Sequence, residues 1–249
     1  MQYQNVSVGQ LIRRVSRFTV ELAIDGVTTS VHMNNTGRNK EILVPGSLAS
    51  VRYVNHPNRK THYDLLAVNR QNRWINIDSL APNHVARECL EAGTMKLPGL
   101  SLPYAVRPET TWRDSRLDFA GTAADGQSWF VETKGVTLAN QTLAAFPDAP
   151  TTRALKHVHT LTMAQAAGYQ AFLVFIVQLP NIQQMTIYRE RFPELVTAIT
   201  TAKQNGVRVL AYDTMTGPDF ITLGQPILFY GNEPDEFVKY ENSVMIFSY

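Results

Sequence analysis

The sequence predicts an α/β protein with an all-β N-terminal barrel of the OB type, followed by a body built on a mixed sheet. Three observations carry this. About five short strand-like segments fall within roughly seventy residues between Leu11 and Leu80, each bounded by turn residues. Beyond Leu80 the order becomes helix, hairpin, helix, strand, helix, strand. One of those strands, Gln170–Gln178, has an unbroken apolar centre, as a strand covered on both faces has.

The barrel segments come in order. Phe18–Ile24 alternates apolar and polar, turns at Asp25-Gly26, and returns as Thr28–Met33. Asn35-Thr36-Gly37-Arg38 is loop chemistry, and Pro45-Gly46 punctuates the stretch after Glu41–Val44. Leu48–Val54, Tyr63–Val68 and the short Trp74–Ile77 complete the set. An SH3-like barrel gives a similar pattern. A basic loop between Tyr53 and Tyr63 carries Arg59 and Lys60. Cations among aromatics suit a single-strand binding surface; a solvated hairpin loop over core aromatics is the plainer reading.

Leu80-Ala81-Pro82-Asn83 marks a boundary between residues 1–80 and 81–230. His84–Ala92 reads as a helix stopping at Gly93, with Val85, Cys89 and Ala92 on its apolar face. A Pro/Gly-rich link leads to the hairpin, whose strands are Arg116–Ala120 and Trp129–Lys134 around an Asp125-Gly126 turn. Asp148 is the expected N-cap of a helix running to about Ala167, with Pro150 in its first turn. Leu155, Val158 and Leu161 or Thr162 form its apolar stripe, while Arg153, Lys156, His157 and Thr160 share another face. Pro193–Asn205 reads as a helix and Val207–Tyr212 as a strand. Residues 231–249 form an acidic tail.

Of the 249 residues, 44% are hydrophobic and 18% charged, which places the chain among globular proteins. The single cysteine, Cys89, excludes an internal disulfide and a cysteine-based zinc cluster. Neither a signal peptide nor a membrane span is read, so the expected location is the cytoplasm. The net charge of +2 is unevenly spread: residues 1–80 carry ten Lys/Arg against five Asp/Glu. A basic barrel ahead of a neutral body points to a polyanionic partner, with ordinary surface scatter as the alternative.

The chemistry concentrates in the hairpin. Side chains alternate along a strand, so Glu132 and Lys134 point to one face, and Asp118 lies on the neighbouring strand. Two carboxylates offer hard oxygen ligands to Mg²⁺ or Mn²⁺, and a lysine beside them orients water or meets phosphate. The arrangement matches the Asp-(x)n-Glu-x-Lys pattern of the PD-(D/E)XK nucleases, while a surface hairpin solvated by these charges is the bland alternative. Gln178 stands at a strand end where it can hold a water or meet Lys134. Glu88 is a further metal-ligand candidate or a solvated helix position, and Glu109 is equally ambiguous. Neither a Gly-x-Ser-x-Gly elbow nor a phosphate-binding glycine loop is present.

Assembled in order, the motifs resemble the sugar fermentation stimulation protein family. The resemblance runs from about Phe18 to Pro226. It rests on His32-Met33-Asn34-Asn35-Thr36-Gly37-Arg38, Leu80-Ala81-Pro82-Asn83, Glu88-Cys89-Leu90, Ser115–Phe119, Val131–Lys134, Phe146–Ala149, Thr152-Arg153, Lys156-His157 and Gln178. The chain departs from the pattern at Asn39, Gly135, Pro150 and Ala154, none of them a proposed ligand. The resemblance implies an OB-like domain, a restriction-endonuclease-like domain, DNA binding and a regulatory effect on maltose metabolism. Combined with the residues, it yields an expected metal-dependent nuclease. Asp118 and Glu132 hold the ion, Lys134 and Gln178 complete the catalytic set, and Arg38, Arg59, Lys60, Arg116, Arg153, Lys156 and His157 meet DNA. The alternatives are a DNA-binding regulator that keeps the fold without turnover, and a protein-interaction module in which these charges form an internal ion-pair network. Oligomeric state stays open, a homodimer included.

Overall fold

A computed structural model describes residues 1–231. The acidic tail read over 231–249 therefore lies, beyond Gly231, outside the described residues. Six strands come first: β1 (Val6–Ser16), β2 (Thr19–Ile24), β3 (Val27–His32), β4 (Leu48–Tyr53), β5 (Tyr63–Arg70) and β6 (Arg73–Asn76). Strands β3-β2-β1-β4-β5 form a sheet closed by a parallel bridge from β3 to β5, and β6 extends β5. This is the expected OB-like barrel, with one strand, β1, that the pattern did not announce. Of the apolar side chains on β1, only Leu11 is buried, Val8, Ile12 and Val15 are exposed, and the strand is twice out of register against β2.

The body follows: α1 (Ala81–Glu91), β7 (Tyr104–Trp112), β8 (Ser115–Ala123), β9 (Ser128–Val136), β10 (Ala139–Asn140), β11 (Leu143–Phe146), α2 (Thr152–Ala166), β12 (Gln170–Val177), β13 (Gln184–Ile187), α3 (Pro193–Gln204), β14 (Arg208–Thr216), β15 (Ile221–Pro226) and β16 (Leu228–Tyr230). A mixed six-stranded sheet has the order β15-β14-β12-β9-β8-β7, with β12 parallel to both β9 and β14. Strands β10, β11, β13 and β16 make a second, small sheet.

Period-two alternation sorts the central strands onto two faces. Phe172, Val174 and Ile176 of β12 join Trp129, Val131, Ala86 and Leu90 in the layer under α1. Leu173, Phe175 and Val177 join Phe130, Val136, Leu161 and Ile199 under α2 and α3. The second cluster runs without a break into the barrel interior, through residues such as Leu11, Val51 and Ile75. The sequence boundary at Leu80–Asn83 is thus a change of pattern, not a gap in the core.

Two helix details differ from expectation. The buried face of α1 comprises Ala81, Pro82, Val85, Ala86 and Leu90; Cys89 is only partly buried. Helix α2 starts one residue after Thr151, and Asp148 is not its cap. Instead the Asp148 carboxylate accepts the backbone N–H of Arg38 at 2.7 Å, tying this loop to the barrel.

Candidate active site

Strand β9 carries the site because its two faces do different work. Glu132 and Lys134 share a face with Phe130 and Val136, towards α2; Thr133 shares the other with Val131, towards α1. The pairing of β8 with β9 stops at Phe119–Val131, so Asp118 and Glu132 stand just past that register. The backbone N–H of Asp118 donates to Glu132 Oε2 at 3.3 Å. The three hairpin residues are therefore one connected cluster.

Glu132 is almost fully buried. A carboxylate there is tolerated only when its charge is answered. Lys134 Nζ and His157 Nδ1 both contact Glu132 Oε1. Burial alone pushes the Glu132 pKa up; the Lys134 charge, followed by the His157 hydrogen bond and charge, overcomes it and holds the group below the usual glutamate range. Lys134 Nζ also donates to the Thr133 carbonyl at 3.2 Å.

Asp118 is held from the α1 side. Its Oδ1 accepts from Asn83 Nδ2 at 2.9 Å, and its Oδ2 accepts the Thr133 N–H at 2.8 Å and the Thr133 hydroxyl at 2.7 Å. The Thr133 hydroxyl also lies against Asn83 Oδ1; its single proton serves one of the two acceptors at a time. Asn83 and Thr133 were not among the expected site residues. Asn83 was hidden in the boundary motif, and Thr133 was the unspecified middle residue of Glu-x-Lys.

Gln178 follows β12 and lies over Gly135 without a hydrogen bond to Lys134. Its Nε2 donates to Asn76 Oδ1 at 2.9 Å and to the Asp78 carbonyl at 3.0 Å, at the end of the barrel. The Tyr3 hydroxyl donates to Asp78 Oδ2 at 3.2 Å and accepts from Asn76 Nδ2 at 3.0 Å. Burial, with Asp78 adding to it, raises the Tyr3 pKa well above its ordinary value, so the phenol stays protonated.

The other expected residues separate. His157 is buried on Glu132, whereas Arg153 and Lys156 are exposed, so the predicted shared helix face splits. Lys156 pairs with Asp114 at 3.0 Å, and Arg116 lies 3.5 Å from Glu109. Arg59 and Arg52 both pair with Asp64, leaving Lys60 exposed beside them. Arg38 is exposed on its loop. Glu88 has no hydrogen bond to the cluster; its carboxylate takes the Met1 amino group at 2.7 Å.

Beside Gly135 and Gln178 an open groove of about 630 Å³ runs between the two halves. One wall is the barrel loop Asn35-Thr36-Gly37 with Arg17; the other is Val136–Leu138 and the segment from Phe146 to Thr152.

Among the described residues no three His, Cys, Asp or Glu side chains converge as a ready metal cage. The oxygen donors present are of the kind that a hard divalent cation takes. Asp118 Oδ1 and Glu132 Oε2 each accept one hydrogen bond, leaving acceptor capacity on two carboxylates, and such ions are held by one or two carboxylates plus water and substrate oxygen.

Two family models match the chain. Residues 80–220 match the sugar fermentation stimulation protein RE domain, and residues 12–77 match the SfsA N-terminal OB domain. The chain belongs to the sugar fermentation stimulation protein family. A sugar fermentation stimulation protein homolog of Lacticaseibacillus casei (strain BL23) is 86% identical over 229 residues, covering 92% of this chain and 94% of that protein. The homolog of Enterococcus mundtii is 40% identical over 231 residues, 92% of this chain and 96% of that protein. The solved structure of Pyrococcus furiosus SfsA in complex with Ca²⁺ superposes with a TM-score of 0.82 at 25% identity, covering 92% of this chain and 98% of that one. No helix among the described residues of this SfsA-family chain is long and apolar enough to cross a membrane.

Proposed function

We propose that this SfsA-family protein is a divalent-metal-dependent phosphodiesterase acting on nucleic acid, DNA first among the candidates. The observation that supports it is the joining of Asp118, Glu132 and Lys134 into one cluster where the β8–β9 register ends. A relative of the same fold is described with Ca²⁺, another hard divalent cation. Asp118 and Glu132 are the residues that would hold Mg²⁺ or Mn²⁺. When bound, such an ion activates water and stabilises charge on a phosphoryl group.

The remaining work belongs to the chain itself. Asn83 and Thr133 fix the Asp118 carboxylate from one side. His157 and Lys134 keep Glu132 ionised from the other. Lys134, the more exposed partner of that pair, is the cation placed to orient water or meet a phosphate oxygen. Gln178 acts through position, holding the barrel end over Gly135.

The test uses labelled DNA and RNA, single- and double-stranded, with Mg²⁺, Mn²⁺ or EDTA. Metal-dependent cleavage is expected, falling about a hundredfold or more in Asp118→Asn and in Lys134→Met. A second readout is independent of turnover: Mn²⁺ or Ca²⁺ raises the melting temperature of the wild type and not of Asp118→Asn. Binding without cleavage in any metal sinks the enzyme reading. It leaves a DNA-binding regulator, which the engagement of both Asp118 oxygens by Asn83 and Thr133 favours.

A further inference from the structure

The side chain of Arg14 is used in an unusual way. A guanidinium has five N–H donors, and here all five go to main-chain carbonyls. Nε donates to Ser16 at 3.0 Å, Nη2 to Arg17 at 2.8 Å and to Gly37 at 3.2 Å, and Nη1 to Gly37 at 3.2 Å and to Arg38. Arg14 therefore has no donor left for a ligand. What it does is lock the β1–β2 turn against the loop through Gly37 and Arg38. The same loop is gripped from the body by Asp148, whose Oδ2 takes the Arg38 N–H at 2.7 Å and whose other oxygen faces Arg191 at 3.4 Å.

The residues presented by this clamp are Arg17, Arg38 and Lys40. All three are exposed, and among the described residues none is paired with a carboxylate. Arg17, Thr36 and Gly37 line both this basic surface and the groove that ends at Gly135 and Gln178, so the two are continuous. Next to Arg17 lies Phe18, 43% exposed, with the Arg17 guanidinium 5.4 Å from its ring centre and His32 stacked at 6.4 Å. Preset cations beside an exposed aromatic ring form the combination that tracks a phosphate backbone and stacks its bases.

We infer that the surface formed by Arg17, Phe18, Arg38 and Lys40, held in shape by Arg14, binds a single-stranded nucleic acid and leads it through the interdomain groove to the hairpin. This rests on the reading of the hairpin as a nucleic-acid site and adds its entry route and strandedness. A single strand is favoured because bases stack on an exposed ring only when they are free of a partner strand.

The test measures binding of a fluorescent oligonucleotide and of its duplex to the full chain in EDTA, so that cleavage does not intervene, across a range of salt. The wild type is expected to bind the single strand more tightly than the duplex. Arg17→Glu/Arg38→Glu/Lys40→Glu together should weaken binding and flatten the plot of log affinity against log salt by about two, since each phosphate contact contributes about 0.7 for a single strand. Phe18→Ala should weaken binding about tenfold and leave that slope unchanged. All four positions are exposed, and thermal melts confirm that the variants fold. If the triple variant binds as the wild type does, the route is wrong while the cleavage reading stands. Tighter binding to duplex overturns the strandedness alone. A wild type that binds neither form overturns both.

Discussion

At the scale of single residues, a charge's value depends on what has already claimed it. Arg59 stood out in the sequence as a cation in a loop, yet Asp64 takes it, together with Arg52. Burial pushes the Asp64 pKa up, but hydrogen bonds from Arg59 and Arg52 and their charges bring it below the ordinary carboxylate range. The sign follows: a depressed folded pKa gives stability that is present above the unfolded value near 4 and is lost as pH falls through the folded value. Asp64→Asn should therefore cost about 1–3 kcal/mol at pH 7, and the gap from wild type in urea melts should shrink at pH 3; an equal gap at both pH values rejects this role. The same logic explains what was legible at the candidate site. Glu132 and Lys134 could be paired by alternation alone. Asn83 and Thr133 could not be assigned, because a neutral amide and a hydroxyl have no distinctive pattern until the fold puts them on Asp118. Glu88, an acid in the right neighbourhood of the sequence, goes to the Met1 amino group instead.

At the scale of elements, strands are readable where they alternate or run apolar without a break, and unreadable where a bulge, a proline or shortness removes both signals. Strand β12 announced itself by an apolar run buried throughout its centre. Strand β7 did not: it carries Pro108, its middle is exposed, and Glu109 adopts a positive φ of 49°. The small sheet escaped for a different reason, since none of its strands exceeds four residues. Close approach inside the hairpin makes a testable demand. Gly121 of β8 faces the Trp129 ring, which packs edge-on against Tyr104 at 5.8 Å, and a Cβ at Gly121 would run into that ring and the Ala105 carbonyl. Backbone cannot yield as a flexible side chain does, so Gly121→Ala should cost about 1–3 kcal/mol or more in denaturant unfolding. Gly126, in the turn of the same hairpin, has nothing within 4 Å of an added Cβ but a φ of 82°, so its replacement strains the turn rather than the core.

At the scale of the whole molecule, the two sequence patterns meet in one core. Apolar contacts run from the barrel interior to the α2–α3 layer, and a second cluster joins Leu66 of the barrel to Val85 of α1 and Ile221 of β15. Polar ties cross the same seam: Gln178 to Asn76 and Asp78, Thr216 to the Trp74 carbonyl, and Asp148 to Arg38. A seam built this way should not open before either half unfolds. The protein is therefore expected to melt in a single transition with equal calorimetric and van't Hoff enthalpies, and two separate peaks would falsify the shared-core argument. Gln178→Ala probes the seam directly. It removes two buried hydrogen bonds, although Asn76 Oδ1 keeps the Asp78 N–H and the Asp78 carbonyl keeps the Ala81 N–H; at about 0.5–1.5 kcal/mol each the loss is about 1–3 kcal/mol. For a chain of this size that corresponds to a fall of about 2–12 °C in melting temperature. The fall should move the whole transition and leave it unsplit, because the barrel and the body lose the same contact at once.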